Sequence, residues 1–314
     1  MEKKIILRLS NGLGNQMFMY ATAYSLAKRL NRKLIIDDET AFRARKNISK
    51  YALSNFEIAS EIAPNSNKFK SNIGYLKRKS FKFLDKFIIK KKFLIEQKDL
   101  NKISNYDPEI FNRDYAKNLY MEGHFESEKY FLNYKNFIEK EFIFKCRDLF
   151  KKSPFYKVLS QNNSISICLR QNRFSEGMNK KNDENNVKSK KFSHEQIEYI
   201  NNSIDYLKKK ISNPVFCLWS NDIENINLND FSAKITKIIH NKEFYNSLDQ
   251  NSLDLYLITQ AKHHIVIPST FNWWGAWLCS NKEKIILRPS SNYFSQFKIN
   301  NNDFWPDTWL KINK

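Results

Sequence analysis

No stretch of this 314-residue sequence holds the roughly 20 consecutive apolar residues that a membrane-spanning helix requires, so no span is expected. The start runs from Met1 through Lys3 and Lys4 straight into a strand pattern, without the apolar region and cleavage site of a secretory signal. A cytoplasmic location is therefore expected. Cysteine is scarce. Cys146, Cys168, Cys217 and Cys279 lie far apart, and none forms the C-x-x-C spacing of a zinc or redox site. Reduced, mostly buried thiols are expected. Histidine is scarce too, and the adjacent His263-His264 cannot share one face of a helix or strand. No metal-ligand pattern emerges, and no metal is expected. Helix-turn-helix, zinc-finger and RNP-type patterns are also missing, so no nucleic-acid partner is expected.

Acidic residues are outnumbered, 33 against 53 basic ones, which leaves a net charge of +20. Such a field attracts polyanions, acidic membranes and phosphorylated small molecules. Much of the excess falls in residues 68–92, where Lys77, Arg78, Lys79, Lys82, Lys86, Lys90, Lys91 and Lys92 crowd together. Phe81, Leu84 and Ile88 follow a helical spacing through that run. Two readings stand: a solvated lysine face, or a basic amphipathic helix in peripheral contact with the anionic inner face of the cell membrane.

Glycine is the third scarcity, and two of the 6 glycines fall in one segment. Residues 5–36 read as apolar run, glycine turn, long helical segment, apolar run. Ile5, Ile6, Leu7 and Leu9 form a strand pattern, followed by Ser10-Asn11-Gly12-Leu13-Gly14-Asn15-Gln16. Gly12 and Gly14 would let the backbone turn sharply and approach a ligand closely. The next helix would aim its first N–H groups, and its positive dipole end, at an anion in that turn. A dinucleotide fingerprint needs a third small residue where Met17 stands, and a P-loop needs a Gly-Lys-Ser/Thr ending that is missing. On the glycines alone, an ordinary turn into a helix remains an alternative.

The strand–helix alternation continues. Residues 33–36 read as a second strand, with Asp37-Asp38 at its carboxyl end, where open α/β sheets bind ligands. Residues 64–106 are irregular and basic and read as an insertion or helical subdomain. Residues 120–131 read as strand then turn, and 133–150 carry helical spacing. A second α/β half begins near Ser164, where Ile165, Ile167 and Leu169 alternate and end at Arg170. Residues 177–191, polar and charged, read as a mobile loop. Helices at 197–211, 253–261 and 271–278 alternate with strands at 215–219, 264–267 and 284–287. With 41% hydrophobic residues a real core is available. The expected fold is α/β, with two doubly wound Rossmann-like domains, 1–150 and 151–314, facing a cleft.

Several residues are candidates for chemistry. Arg170, at a strand end, is placed to fork onto a diphosphate, with a structural ion pair as the plain alternative. Ser269-Thr270 precedes a helix and offers hydroxyls beside amides, a phosphate cradle or a plain N-cap. Asp254 falls where a helix is expected to begin, which suggests capping. Glu176 and Arg173 lie in the loop after Arg170. Trp273 and Trp274 read as core more readily than as sugar platforms.

These motifs together carry a resemblance. Asn11-Gly12-Leu13-Gly14-Asn15-Gln16-Met17-Phe18-Met19-Tyr20-Ala21 is similar to the Gly-Gly-Leu-Gly-Asn-Gln-Met-Phe-Gln-Tyr-Ala opening of α-1,2-fucosyltransferases of glycosyltransferase family eleven. Residues 51–58 resemble the Tyr-x-Leu-x-x-Phe element of that family. Residues 122–131 resemble its Glu-Gly-Tyr-x-Gln-Ser-Glu-Lys-Tyr-Phe, and residues 269–278 its Ser-Ser-Phe-Ser-Trp-Trp-Gly-Ala-Trp-Leu. The likeness weakens between about 60 and 118. It implies a GT-B-type architecture and inverting transfer of fucose from GDP-fucose to a glycan hydroxyl, galactose in α-1,2 linkage, during surface polysaccharide synthesis. No metal or other cofactor is implied. Domain 1–150 would take the acceptor and 151–314 the donor. Arg170 falls at the first arginine of a His-x-Arg-Arg-x-Asp motif that grips the donor's phosphates. Asp254 falls at a guanine-contacting aspartate, and Asn15, with Gly12 and Gly14, beside the donor. Glu176 is the candidate base, with Asp37 and Glu126 behind it. The chain departs from that motif at Cys168, Gln171 and Arg173, which replace its histidine, second arginine and aspartate. A noncatalytic or altered-donor GT-B protein, binding a polyanion or membrane surface, is the alternative.

Overall fold

The computed structural model describes residues 2–43, 50–99, 103–161, 163–176, 182–240, 244, 248–294 and 299–314. Cα proximity divides the chain into two compact units, Met1–Lys145 with Asn302–Pro306, and Cys146–Asn301 with Asp307–Lys314.

The first unit is built on β1 (Lys4–Arg8), β2 (Lys33–Asp37), β3 (Glu61–Ile62), β4 (Lys91–Ile95) and β5 (Tyr115–Glu122), in the order β3-β2-β1-β5-β4. Every pairing is parallel. Because strand side chains alternate between faces, Ile6, Ile35, Tyr120 and Phe93 come side by side and form one apolar cluster with Ala63, against which Phe69 packs. Helix α1 (Leu13–Arg29) follows β1 and is buried along most of its length. Helix α2 (Asn72–Leu84) precedes β4, and α3 (Lys135–Glu141) follows β5. Residues 64–106, expected as an insertion or helical subdomain, do hold helix α2, but part of the stretch belongs to the main sheet. Its Lys91–Ile95 segment is the edge strand β4, with Phe93 and Leu94 buried. An edge strand tolerates lysines along its open side, and they mask its pattern in the sequence.

The second unit opens with two single-turn helices, α4 (Arg147–Phe150) and α5 (Tyr156–Leu159). Strand β6 (Ser164–Leu169), helix α6 (Asp183–Lys208), β7 (Val215–Ser220) and β8 (Ile235–Lys237) follow. Next come α7 (Gln250–Gln260), β9 (His263–Ile265), α8 (Thr270–Trp277), β10 (Ile286–Pro289) and β11 (Leu310–Ile312). The sheet runs β11-β10-β9-β6-β7-β8, again all parallel. Counted within the unit, this is the doubly wound order whose direction reverses between β6 and β9.

The expectation of a loop at 177–191 is overturned over its described part. Asn182 caps a helix through an Asn185 N–H bond of 2.8 Å, and residues 183–191 are its first turns. Asp183 and Glu184 favour the positive end of its dipole, so a polar composition here marks a helix start. Residues 177–181 lie outside the described residues. Trp273 and Trp274 are fully buried, and the Trp273 ring lies 6.0 Å from Trp277 and 5.4 Å from Trp309, so this cluster is core. All four cysteines are free, and only Cys146 is exposed. Among the described residues no helix is long and apolar enough to cross a membrane.

Candidate functional site

In a doubly wound sheet the connections leave opposite faces on either side of the strand-order reversal, and this opens a crevice at the carboxyl ends. In the second unit that point lies between β6 and β9, which pair as neighbours. Arg170 immediately follows β6. Ser269 and Thr270 follow β9 at the head of α8. Sequence-predicted residues from segments about a hundred positions apart are thus brought to one edge of one sheet.

The Arg170 backbone is held by Gln196 of α6, whose fully buried amide accepts from Arg170 N at 2.9 Å and donates to Arg170 O at 2.8 Å. The guanidinium is half-buried. Its Nη2 donates to Glu176 Oε2 at 2.6 Å, while its buried Nε has no hydrogen-bond partner. Glu176 Oε1 also accepts from Asn221 Nδ2 at 3.3 Å. Asn221, just past β7, bonds the Gln171 backbone in both directions, at 2.8 and 3.1 Å. The turn at Asn172 has φ 56, a conformation asparagine tolerates. So the Arg170 loop is tethered on two sides, and the two residues assigned to phosphate grip and base form an ion pair.

Cys168 lies two residues upstream on β6. Its buried sulfur accepts from Asn272 Nδ2 of α8 at 3.2 Å, and Asn272 Oδ1 accepts from Ile267 N at 2.8 Å. One buried amide therefore joins β6, the end of β9 and α8. Burial pushes the Cys168 thiol far up, and the nearby Asp254 carboxylate adds to the shift, so the thiol stays neutral. Asp254 is not the helix start expected for it. Asp249 caps α7 through Ser252 N at 2.9 Å, because Gln250-Asn251-Ser252 make a polar first turn that hides the boundary. Asp254 lies one turn in, half-buried, with its charge acting on Cys168. Ser269 occupies the N-cap position of α8, yet its hydroxyl makes no capping bond.

The pose of α8 depends on Gly275. A Cβ there would stand 2.3 Å from Ile258 Cγ2 and 3.1 Å from Ile258 Cβ, on a β-branched side chain of α7 that cannot turn aside. Gly275→Ala is expected to cost about 1–3 kcal/mol through overpacking. Thermal unfolding would register it as a lower melting temperature.

The first unit has its own reversal, between β1 and β5. Here the glycine argument needs correction. Asn11, with φ 63, makes the turn, whereas Gly12 is extended at φ −77, ψ 173. A Cβ at Gly12 would meet nothing within 4 Å, so neither packing nor backbone conformation requires glycine there. Gly14 is buried inside α1 and Asn15 is half-buried in its first turn. Gln16 is wholly structural: its amide bonds Asn11 O and Lys50 O, both at 2.8 Å, and Ala52 N at 3.0 Å. Across the reversal, the Asn11 amide Nδ2 lies 2.7 Å from His124 Nε2, and His124 Nδ1 lies 3.5 Å from Glu126. Burial lowers the His124 pKa and keeps the ring neutral near pH 7. With the amide as donor, Nε2 accepts and the Nδ1 proton faces Glu126. Asp37 serves as an anchor, accepting from Tyr120 OH at 2.5 Å, Thr40 Oγ1 at 2.6 Å and Thr40 N at 2.9 Å. Among the described residues no group of three His, Cys, Asp or Glu side chains could hold a metal ion.

Reasoning from sequence did not single out Gln196, Asn221, Asn272 or His124. The last two fall inside quoted motifs, at positions where the family pattern has serine and tyrosine. For Gln196 and Asn221 no local signal exists.

A family model described as glycosyl transferase family 11 matches residues 2–313. An alpha-1,2-colitosyltransferase of Escherichia coli is 28% identical over 314 residues, covering 99% of each chain. The O-antigen biosynthesis glycosyltransferase WbnK of Escherichia coli is 24% identical and covers 97% of this chain and 99% of its own. Among solved structures, an Arabidopsis thaliana FUT1 variant in complex with GDP aligns with a TM-score of 0.53 and 13% identity, over 93% of this chain and 71% of that one. Fucosyltransferase NodZ from Bradyrhizobium aligns with a TM-score of 0.51 and 15% identity, over 88% and 91%. At such identities the likeness speaks to the fold, which is α/β of GT-B type.

Proposed function

The chain belongs to glycosyl transferase family 11, and from that premise we propose that this glycosyltransferase moves fucose from GDP-fucose to a glycan hydroxyl with inversion, in surface polysaccharide synthesis. The acceptor proposed is galactose, joined through an α-1,2 linkage. The acceptor oxygen attacks the anomeric carbon, the bond to the diphosphate breaks, and GDP leaves with the electron pair. No metal takes part in this proposal, and charge on the leaving group falls to the protein. The observation that carries the reading is Arg170 beside the α8 head at the β6–β9 reversal of the second unit. A guanidinium and helix N–H groups suit a departing diphosphate. Asp254 is proposed for the guanine. The first unit is proposed for the acceptor side, while Gly12, Gly14 and Asn15, near its own reversal, keep the donor role that the resemblance gives them.

Glu176 is given two successive roles. Without donor it neutralises Arg170. Once Arg170 turns to the diphosphate, the carboxylate is released to accept the hydroxyl proton.

One observation favours a second donor. Cys168 replaces the motif histidine, and its bond to Asn272 turns that position toward the protein interior. A colitose donor, after the name of the 28% relative, is the alternative. Calorimetry with GDP, GDP-fucose, GDP-colitose and NAD tests both readings. GDP and one of the two GDP-sugars should bind, and NAD should not. Equal, weak heats from all four would reject a nucleotide-sugar enzyme.

A further inference from the structure

Helix α2 is turned the opposite way from an ordinary surface helix. At about 3.6 residues per turn, Ile73, Leu76, Phe83 and Leu84 share one stripe, and Arg78 and Lys82 lie across the axis from it. The charged side faces the protein. Arg78 Nε lies 3.2 Å, and Lys82 Nζ 3.1 Å, from the carboxylate of buried Glu122 at the end of β5, and Arg8 approaches the same carboxylate at 3.9 Å. The apolar side faces out. Ile73 is 79% exposed, Leu76 62%, Phe83 61% and Leu84 53%, and no residue of the helix is buried. Phe87 and Ile89, in the turn beyond, are 77% and 88% exposed. A cluster of six large apolar side chains on one surface marks a contact site.

The charge around the cluster tells what covers it. Lys77, Lys79, Lys86, Lys90 and Lys92 are all exposed. The single acid in residues 72–92 is Asp85. It is buried, and its carboxylate accepts from Lys92 N at 2.7 Å and Phe93 N at 3.2 Å. Lys90 faces Asp114 at 3.9 Å, a loose and exposed pair. A second copy of this chain would bring the same lysines against each other. An anionic bilayer offers both what the stripe lacks, an apolar layer, and what the lysines lack, a dense negative surface.

We infer that α2 and the following turn, residues 72–92, form a docking surface for an anionic lipid bilayer. The apolar stripe enters the acyl boundary, the lysines meet the headgroups, and the Glu122 ion pairs set the rotation of the helix. This inference does not rest on the proposed donor or reaction.

Sedimentation of the full chain with phosphatidylcholine vesicles, with and without phosphatidylglycerol, tests it. Binding should require phosphatidylglycerol and fall with salt. Salt sensitivity alone would follow from the net charge of +20, so neutral variants carry the decision. Leu76→Ser with Phe83→Ser keeps every charge and should reduce partition roughly tenfold or more. Lys79→Gln with Lys86→Gln should reduce it by a similar factor. Far-UV circular dichroism and thermal unfolding should stay unchanged, because these side chains point to solvent. No binding to phosphatidylglycerol vesicles, or undiminished binding of the Leu76/Phe83 variant, would overturn the inference. So would a dimer in sedimentation velocity that this variant dissociates, because the stripe would then belong to a second copy.

Discussion

Replacing Arg170 with alanine should lower transfer from GDP-fucose by about 10²- to 10³-fold, the range typical when a preorganised charge on a leaving group is removed. The fold should survive, because Gln196 holds the Arg170 backbone through its peptide groups rather than its side chain. Arg170→Lys should recover only part of the loss, since an ammonium cannot fork onto a diphosphate. Glu176→Gln separates the two roles given to Glu176. If the carboxylate is a counter-ion alone, the amide should tighten GDP binding and leave kcat within a few-fold. If it also takes the proton, kcat should fall by about 10²-fold or more while GDP affinity holds or rises. Steady-state kinetics with calorimetry on both variants gives the split. Near-normal turnover by Arg170→Ala would remove the phosphate assignment altogether.

The second large effect concerns stability. Glu122 is 5% exposed and gathers Arg8, Arg78 and Lys82 around one carboxylate. Glu122→Ala would leave three like charges converging on a largely dry site. Breaking such a buried arrangement costs about 3 kcal/mol or more, or roughly 6–12 °C in melting temperature. Adding Arg78→Met and Lys82→Met should restore much of the loss, because the two nearest charges go with their partner and only Arg8, 3.9 Å away, remains. Differential scanning calorimetry of the single and triple variants checks both halves of this expectation. The single variant should also blunt vesicle binding by freeing the rotation of α2, an effect the triple variant would share.

The α/β alternation was legible where strands are buried on both faces. Ser164–Leu169 is buried at every position, and Ile165, Ile167 and Leu169 marked it as a strand because the residues between them are small enough to be buried too. It was illegible where strands are short and open to solvent. Glu61–Ile62 and Leu310–Ile312 are mostly exposed edge strands, and two or three residues carry no period. The position of Arg170 followed from the strand ending at it, but its support did not. Gln196 stands 26 residues away on a helix, and only folding brings its amide to that peptide. Glycine was expected to make the first turn, and Asn11 makes it, since asparagine too accepts a positive φ. The departure at Cys168 was visible in the sequence, but its meaning was not. Asn272, a second departure from the family pattern, touches Cys168 at 3.2 Å, so two changes that looked separate form one contact.

The division of the chain also bears on how it is made. Asn302–Pro306 belongs to the first unit although it lies near the end of the polypeptide. Phe304 meets Phe18 at 6.4 Å, and Asp303 receives Lys129 at 2.7 Å and the Tyr106 amide at 2.9 Å. Those places stay empty on the ribosome until residues 302–306 have been added. The unit begun first is therefore finished only after nearly all of the second has been made, and a nascent chain halted anywhere before residue 302 exposes an unfinished flank around Phe18.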